Sequence, residues 1–263
     1  LASELCALIL GDVVGTPGSR ALFFGLKKLI KETRADLVIV NGENAASGFG
    51  MMPEDVQTLF TSGADVITSG NHIWQRKEIL DLLDSEERLL RPANYPSGVP
   101  GHGFCIIEKK KQKIAVLNLL GRSRMGFNGL CPFQTGKKLL QQLHGKADAF
   151  ILDFHAEDPM EKEALACYLD GQLSLLFGTH THIQTADERI LPGGTGYITD
   201  IGMVGPSDSV IGSNPQQSIQ RSISQLPLKM EVLDNEALVC GISVVIQDGK
   251  TTRIDRIRQV PGS

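Results

Sequence analysis

LCALILGDVVGTPG, residues 5–18, runs an unbroken apolar segment into an aspartate and a glycine-rich turn. An apolar run without alternation suits a strand buried on both faces of a parallel sheet. Asp12 stands at the C-terminal end of that strand, with no basic residue close to it in sequence. In open α/β sheets this is the edge where ligands bind.

The pattern repeats outward from there. Ala21–Thr33 has helical spacing, Asp36–Val40 reads as a second strand, and Pro53–Thr61 as a helix with proline near its start. Val66–Thr68 is a third strand and Arg76–Leu83 a further helix. Strands alternating with helices predict a βαβ parallel sheet with right-handed crossovers. Phe104–Glu108 and Lys113–Leu119 flank a lysine-rich turn and predict a hairpin. Ala149–Asp153 and Leu173–Phe177 are strands with a helix between them. Lys229–Leu233, Ala237–Gln247 and Thr251–Val260 predict antiparallel strands, with Asp248-Gly249 as a hairpin turn. No repeat or linker composition interrupts the chain. The expectation is one α/β domain over 1–263, with parallel and antiparallel strands in the same core.

Each strand end carries a polar cluster. The first gives Asp12; LVIVNGEN gives Asn41, Glu43 and Asn44; DVITSGNHIW gives Asn71 and His72. AFILDFHAE gives Asp153, His155 and Glu157, and LSLLFGTHTH gives His180 and His182. Four of the six histidines fall in these clusters. With Asp12, Glu43, Asn44 and Asn71 they form a set of oxygen and nitrogen donors without sulfur, which suits Mn, Fe or Zn. The set exceeds what one tetrahedral ion needs, and two ions sharing a bridging carboxylate would use it well.

Taken singly, most of these residues have plainer explanations. An aspartate before glycine is commonly a turn or helix cap, and asparagines occupy left-handed turns. GDVVGTPG matches neither GxGxxG nor GxxxxGK[ST], which disfavours a phosphate loop. His180 and His182 resist such explanations: in an extended segment alternate side chains point the same way, and two neutral imidazoles facing one spot invite a metal. His144 reads as a helix C-terminal residue and His102 as a loop residue in PGHGF.

Composition excludes several classes. Of 263 residues, 41% are hydrophobic and 21% charged, which is ordinary globular usage. No apolar run reaches the ~20 residues that span a bilayer, and Leu5–Leu10 is too short for a signal peptide and lacks its basic flank. The expected location is therefore the cytoplasm, with no membrane partner. Five cysteines without a CxxC pair are expected to be reduced packing thiols. A net charge of -4 disfavours an extensive nucleic-acid surface.

The motifs GD, GEN, GNH, FHAE and GTHTH, in that order, resemble the calcineurin-like metallophosphoesterases. GDVVGTPG, NGENAASGFG, SGNHIW, RPANYP, DFHAE, GTHTHIQTADERILP and GYITDIGMVGP together resemble the bacterial YmdB-like family over nearly the whole chain. That resemblance implies an α/β/β/α sandwich with mixed sheets. It further implies two metal ions, commonly Fe or Mn, and phosphodiesterase activity on cyclic nucleotides, including 2′,3′-cyclic ones. A bacterial cytoplasmic homo-oligomer is implied as well. The wider superfamily writes its first motif DxH and its second GDxxD. Here Val14 replaces the histidine, and Glu43 with Asn44 replaces the second aspartate; the YmdB-like pattern shares both departures.

Carried over by position, the resemblance gives Asp12, Glu43, Asn44 and His182 to a first metal. It gives Glu43, Asn71, His155 and His180 to a second. Glu43 bridges them, since a carboxylate has two oxygens to share. The expected chemistry is attack on phosphorus by a hydroxide held between the ions, with His72 as general acid. Arg122 and Arg124 in GRSRMGFNG are candidate clamps for a small phosphate-ester substrate. Alternatives are a phosphomonoesterase or RNA nuclease on the same site, or a weakly hydrolytic regulatory binding protein.

Overall fold

The computed structural model describes residues 4–260; the three residues at either end of the 1–263 reading lie outside them. In chain order the strands and helices are β1 (Leu5–Leu10), β2 (Asp12–Val13), α1 (Gly15–Thr33), β3 (Leu37–Asn41), α2 (Pro53–Ser62), β4 (Val66–Thr68) and α3 (Leu80–Ser85). Then follow β5 (Phe104–Lys109), β6 (Gln112–Leu120), α4 (Pro132–Leu143), β7 (Ala149–His155), α5 (Pro159–Leu169) and β8 (Leu175–Thr179). The chain continues through β9 (Arg189–Ile190), β10 (Gly196–Ile198), β11 (Met203–Pro206), α6 (Pro215–Ser224), β12 (Ala237–Gln247) and β13 (Lys250–Gln259).

Two mixed sheets result. One runs β2-β11-β12-β1-β3-β4 with β13 on β12; the other runs β5-β6-β7-β8-β10-β9. The two-residue period of β1 separates the layers. Leu5, Ala7 and Ile9 pack between the sheets with Ile39, Val116, Ile151, Phe177 and Val244. Leu8 and Leu10 point the other way, against Leu22, Leu26 and Leu29 of α1 and Val56 and Leu59 of α2. On the far side, Leu117, Leu119, Leu152 and Phe154 pack under Leu140 of α4 and Leu165 and Leu169 of α5. The order is helices, sheet, sheet, helices: the expected α/β/β/α sandwich. Parallel strands so covered have no polar face, which is why their sequences do not alternate.

Four local expectations need correction. Helix α1 starts at Gly15, not Ala21; Pro17 lies in its first turn, where a missing amide costs nothing. The predicted helix Arg76–Leu83 is a 3-10 turn, Lys77–Ile79, followed by α3. Lys229–Leu233 is not a strand. Its backbone groups bond the 212–214 turn instead, as Asn214 N to Glu231 O at 2.9 Å and Leu233 N to Gly212 O at 3.2 Å. Helix α6 is absent from the sequence reading. Its signal is Asn214-Pro215: the Asn214 side chain accepts from the Gln216 and Gln217 amides and proline opens the helix. All five cysteines are free thiols, and among the described residues no helix is long and apolar enough to cross a membrane.

Candidate metal centre

Strand ends from both sheets supply the site. Asp12 lies in β2, Glu43 and Asn44 follow β3, Asn71 and His72 follow β4, His155 closes β7, and His180 and His182 follow β8. Parallel pairing of β1 with β3, β3 with β4, and β7 with β8 brings these ends to one edge. Asp12 does not cap α1: the N-cap is Val14, with no side-chain bond. The Gly15 and Gly18 amides are already taken by Asn44 O and Val14 O, so the glycine turn offers no phosphate cradle.

One half of the site is a meeting of acceptors. Thr179 Oγ1 donates to Asp153 Oδ1 at 2.7 Å, which leaves a lone pair to receive His155 Nδ1 at 2.9 Å. The imidazole proton is thereby placed on Nδ1, and Nε2 is left bare. His180 Nε2 lies 3.2 Å from the Glu157 carboxylate, outside hydrogen-bond geometry but close enough to favour the proton on Nε2 and a bare Nδ1. The two bare nitrogens face each other at 3.1 Å. Asn71 Oδ1 stands 3.1 Å from His155 Nε2, and Glu43 Oε1 3.3 Å from the same atom. Four acceptors thus converge with no proton to share among them, an arrangement that a cation satisfies. Gly70 is required here: a Cβ would fall 2.1 Å from the His155 ring.

The other half centres on Asp12. Its Oδ2 accepts from the His180 amide at 3.1 Å, while Oδ1 is buried with no hydrogen-bond partner. His182 Nδ1 donates to Ile211 O at 2.8 Å, which leaves Nε2 bare at 3.9 Å from Asp12 Oδ1. Asn44 turns its amide nitrogen to His182 Nε2 at 3.1 Å and its Oδ1 to His72 Nδ1 at 2.8 Å. An amide nitrogen has no lone pair for a metal, so ligation by Asn44 requires that side chain to turn over. Glu43 Oε2, like Asp12 Oδ1, is buried without a partner. An orphaned buried carboxylate oxygen costs about 1–3 kcal/mol or more.

His180 and His182 are not in an extended segment. Their φ angles are 100° and 65°, so the turn, not strand alternation, aims the rings. The former lies outside the regions open to a side chain without strain, a cost of order 1–3 kcal/mol. Burial pushes the His180 pKa down to about 3 and lowers those of His155 and His182. All three are neutral donors at neutral pH. Burial, then the Asp200 carboxylate, raises the Asp12 pKa well above its ordinary value, and burial raises that of Glu43.

Among the described residues no three His, Cys, Asp or Glu side chains form a finished metal cage. The donors rest against one another, and two members of the set are amides. The donor chemistry nevertheless fits divalent cations: neutral imidazoles with fixed tautomers, two buried carboxylates, and an orphaned oxygen on each. The structure brings Asp12, Glu43, Asn44, Asn71, His72, His155, His180 and His182 together. Arg122 and Arg124 are exposed on the turn after β6, and the Arg122 amide bonds Glu161 at 3.1 Å. Neither lines the cavity of about 440 Å³ that His72, His180 and His182 share; the cation there is Arg221. His144 caps the C-terminus of α4, and His102 Nε2 reaches Asp84 O at 3.3 Å.

The model of the YmdB-like protein family matches residues 8–257. The chain belongs to the YmdB-like family. It is 41% identical over 252 residues to the 2′,3′-cyclic-nucleotide 2′-phosphodiesterase of Bacillus subtilis, covering 95% of each chain. A crystal structure of a phosphatase from Mycoplasma pneumoniae superposes with a TM-score of 0.93 at 37% identity, over 99% of this chain and 95% of that one. A 5′-nucleotidase precursor of Thermus thermophilus shares the fold alone, with a TM-score of 0.59 at 13% identity over 98% of this chain and 54% of that one.

Behind the donors of this YmdB-like chain lies a buried ion pair that the sequence reading misses. Lys162 of α5 is fully buried. Its Nζ donates to Asp200 Oδ2 at 2.8 Å and to Thr179 O at 2.9 Å. Asp200 Oδ2 also accepts from the Thr181 amide at 3.1 Å. The pair therefore grips the strained turn on both sides of His180. A readable signal existed: Lys162 stands in the apolar stripe with Leu165, Ala166 and Leu169. Lys162→Met is expected to destabilise the fold by about 3–5 kcal/mol, because it strands a buried carboxylate. Urea unfolding measures this, and Lys162→Met with Asp200→Asn should recover more than half of the loss. A single variant as stable as wild type would refute the role.

Proposed function

We propose that this phosphoric ester hydrolase is a metal-dependent phosphodiesterase of cyclic nucleotides, acting first on 2′,3′-cyclic ones. The single observation that supports it most is the acceptor-only meeting of His155 Nε2, His180 Nδ1, Asn71 Oδ1 and Glu43 Oε1, beside the orphaned oxygens of Asp12 and Glu43. The substrate class comes from the Bacillus subtilis relative's name. Asp12, Glu43, Asn44 and His182 would hold one cation, and Glu43, Asn71, His155 and His180 a second. When bound, such cations supply Lewis-acid activation of water and neutralise charge on the phosphate.

The rest is done by the chain itself. His72 Nδ1 is held by Asn44 Oδ1 at 2.8 Å and by Glu43 Oε1 at 3.2 Å. Turned over as ligation requires, the Asn44 amide nitrogen would donate to Nδ1 and put the ring proton on Nε2. The ring lines the cavity, where Nε2 protonates the departing ribose oxygen. One arginine and no lysine line the cavity, which favours a small ester over a polynucleotide track.

Turnover of 2′,3′-cyclic, 3′,5′-cyclic and monoester substrates with added Mn²⁺ tests the reading. Hydrolysis of the 2′,3′-cyclic diester is expected to be fastest; activity on the monoester alone would overturn it. Cation binding has its own readout. Raised carboxylates hold protons to higher pH than free ones, and an arriving cation expels them, whereas neutral imidazoles have none to lose. Adding Mn²⁺ to chelator-treated protein should therefore release protons in a number that grows as the pH is lowered from about 8 toward about 5. A number that stays flat or shrinks over that window would contradict the assignment.

A further inference from the structure

The cavity beside the donors has a second wall that hydrolysis of a phosphate does not need. Phe49 is 45% exposed, Ile211 49% and Ile183 62%, and all three line it with Met230, Val232 and Arg221. Apolar side chains gathered at one opening mark a surface meant to be covered. The cavity is continuous with the reaction centre, since His72, His180 and His182 line the same space.

Phe49 is positioned, not loose. It sits in the turn Ser47–Gly50, where Ser47, Gly48 and Gly50 have positive φ. Arg76 reaches across to bond Phe49 O at 3.2 Å and Ala46 O at 3.1 Å. The Phe49 ring meets the His72 ring edge-on, with centroids 5.0 Å apart. Beside it, the 228–233 segment is anchored through Val232, whose methyls close on Gly15 and Gly48 so tightly that a Cβ at Gly48 would lie 2.8 Å away. A positioned aromatic ring and several apolar side chains therefore line one cavity of about 440 Å³, within the ~300–1,000 Å³ of small-molecule sites.

We propose that this cleft is the nucleobase subsite, with Phe49 as the stacking platform. The inference rests on the cyclic-nucleotide reading above. Its occupant must be flat, largely apolar and joined to the phosphate at the donors, and a base on its ribose meets all three demands. Ile183 and Ile211 cover the remainder of the ring. Arg221 supplies donors to the carbonyl and ring-nitrogen acceptors of the base edge. Stacking tolerates every base, so discrimination between bases falls to Arg221.

The test compares adenosine 2′,3′-cyclic phosphate with methyl ribofuranoside 2′,3′-cyclic phosphate, which has the same reacting centre and no base. Wild type is expected to prefer the adenosine compound in kcat/KM. Phe49→Ala should reduce that preference roughly tenfold, chiefly through KM, and Phe49→Tyr should restore it. Adenosine 3′-monophosphate should bind chelator-treated Phe49→Ala roughly tenfold more weakly than wild type by calorimetry. Equal losses on both esters, or an unchanged preference, would overturn the subsite. A change of oligomeric state in Phe49→Ala without a change of preference would assign the patch to a subunit contact and overturn it too. Failure of wild type to hydrolyse either ester would instead overturn the phosphodiesterase reading.

Discussion

Glu43→Gln is expected to lower turnover of a 2′,3′-cyclic nucleotide by at least about a thousandfold, close to 4 kcal/mol of transition-state stabilisation. The carboxylate is fully buried. One oxygen stands at 2.9 Å from the His72 amide and 3.3 Å from His155 Nε2, and the other has no partner. Glutamine keeps the size and one carbonyl oxygen but loses the charge, and turns a donor toward bare imidazole nitrogens. The variant should fold, because glutamine replaces a buried carboxylate at nearly the same size, and should retain at most one cation per chain by elemental analysis. Two tightly held cations in Glu43→Gln would remove Glu43 from the bridging position.

His72→Ala carries the second large effect, of a different kind. Loss of a general acid costs about 10²- to 10⁴-fold. Cation content should stay near wild type, because the Asn44 and Asn71 side chains are untouched and the backbone amide of residue 72 still bonds Glu43. The loss should appear in kcat, and should shrink for an aryl diester whose leaving group needs no proton. Protein that arrives without cations would make His72 a ligand; an equal loss on both leaving groups would deny it the proton.

Much of the fold was readable in advance because strands buried on both faces are largely continuous apolar runs. Leu5–Leu10, Val66–Thr68 and Ala237–Gln247 match the sequence reading at both ends. The donors were legible for the same reason: each follows a strand whose end the sequence marks. What was hidden depended on partners distant in sequence. The 229–233 segment has strand-like composition but bonds a turn. Lys162 stands in an apolar stripe, but its partner Asp200, 38 residues on, is brought beside it only by the fold. His180 and His182 were singled out for a geometry they do not adopt; the turn that aims them is held by Lys162, Asp200 and Asp12. The Asn44 amide, turned to His72 and His182 at once, could not be oriented from sequence.

Anomalous diffraction from crystals of the Mn²⁺-loaded protein addresses the central claim most directly. The account predicts two peaks about 3.5–4 Å apart, one among Asp12, Asn44 and His182 and the other among Asn71, His155 and His180, with Glu43 between them and the Asn44 amide turned over. A single peak, or peaks away from these residues, would contradict it.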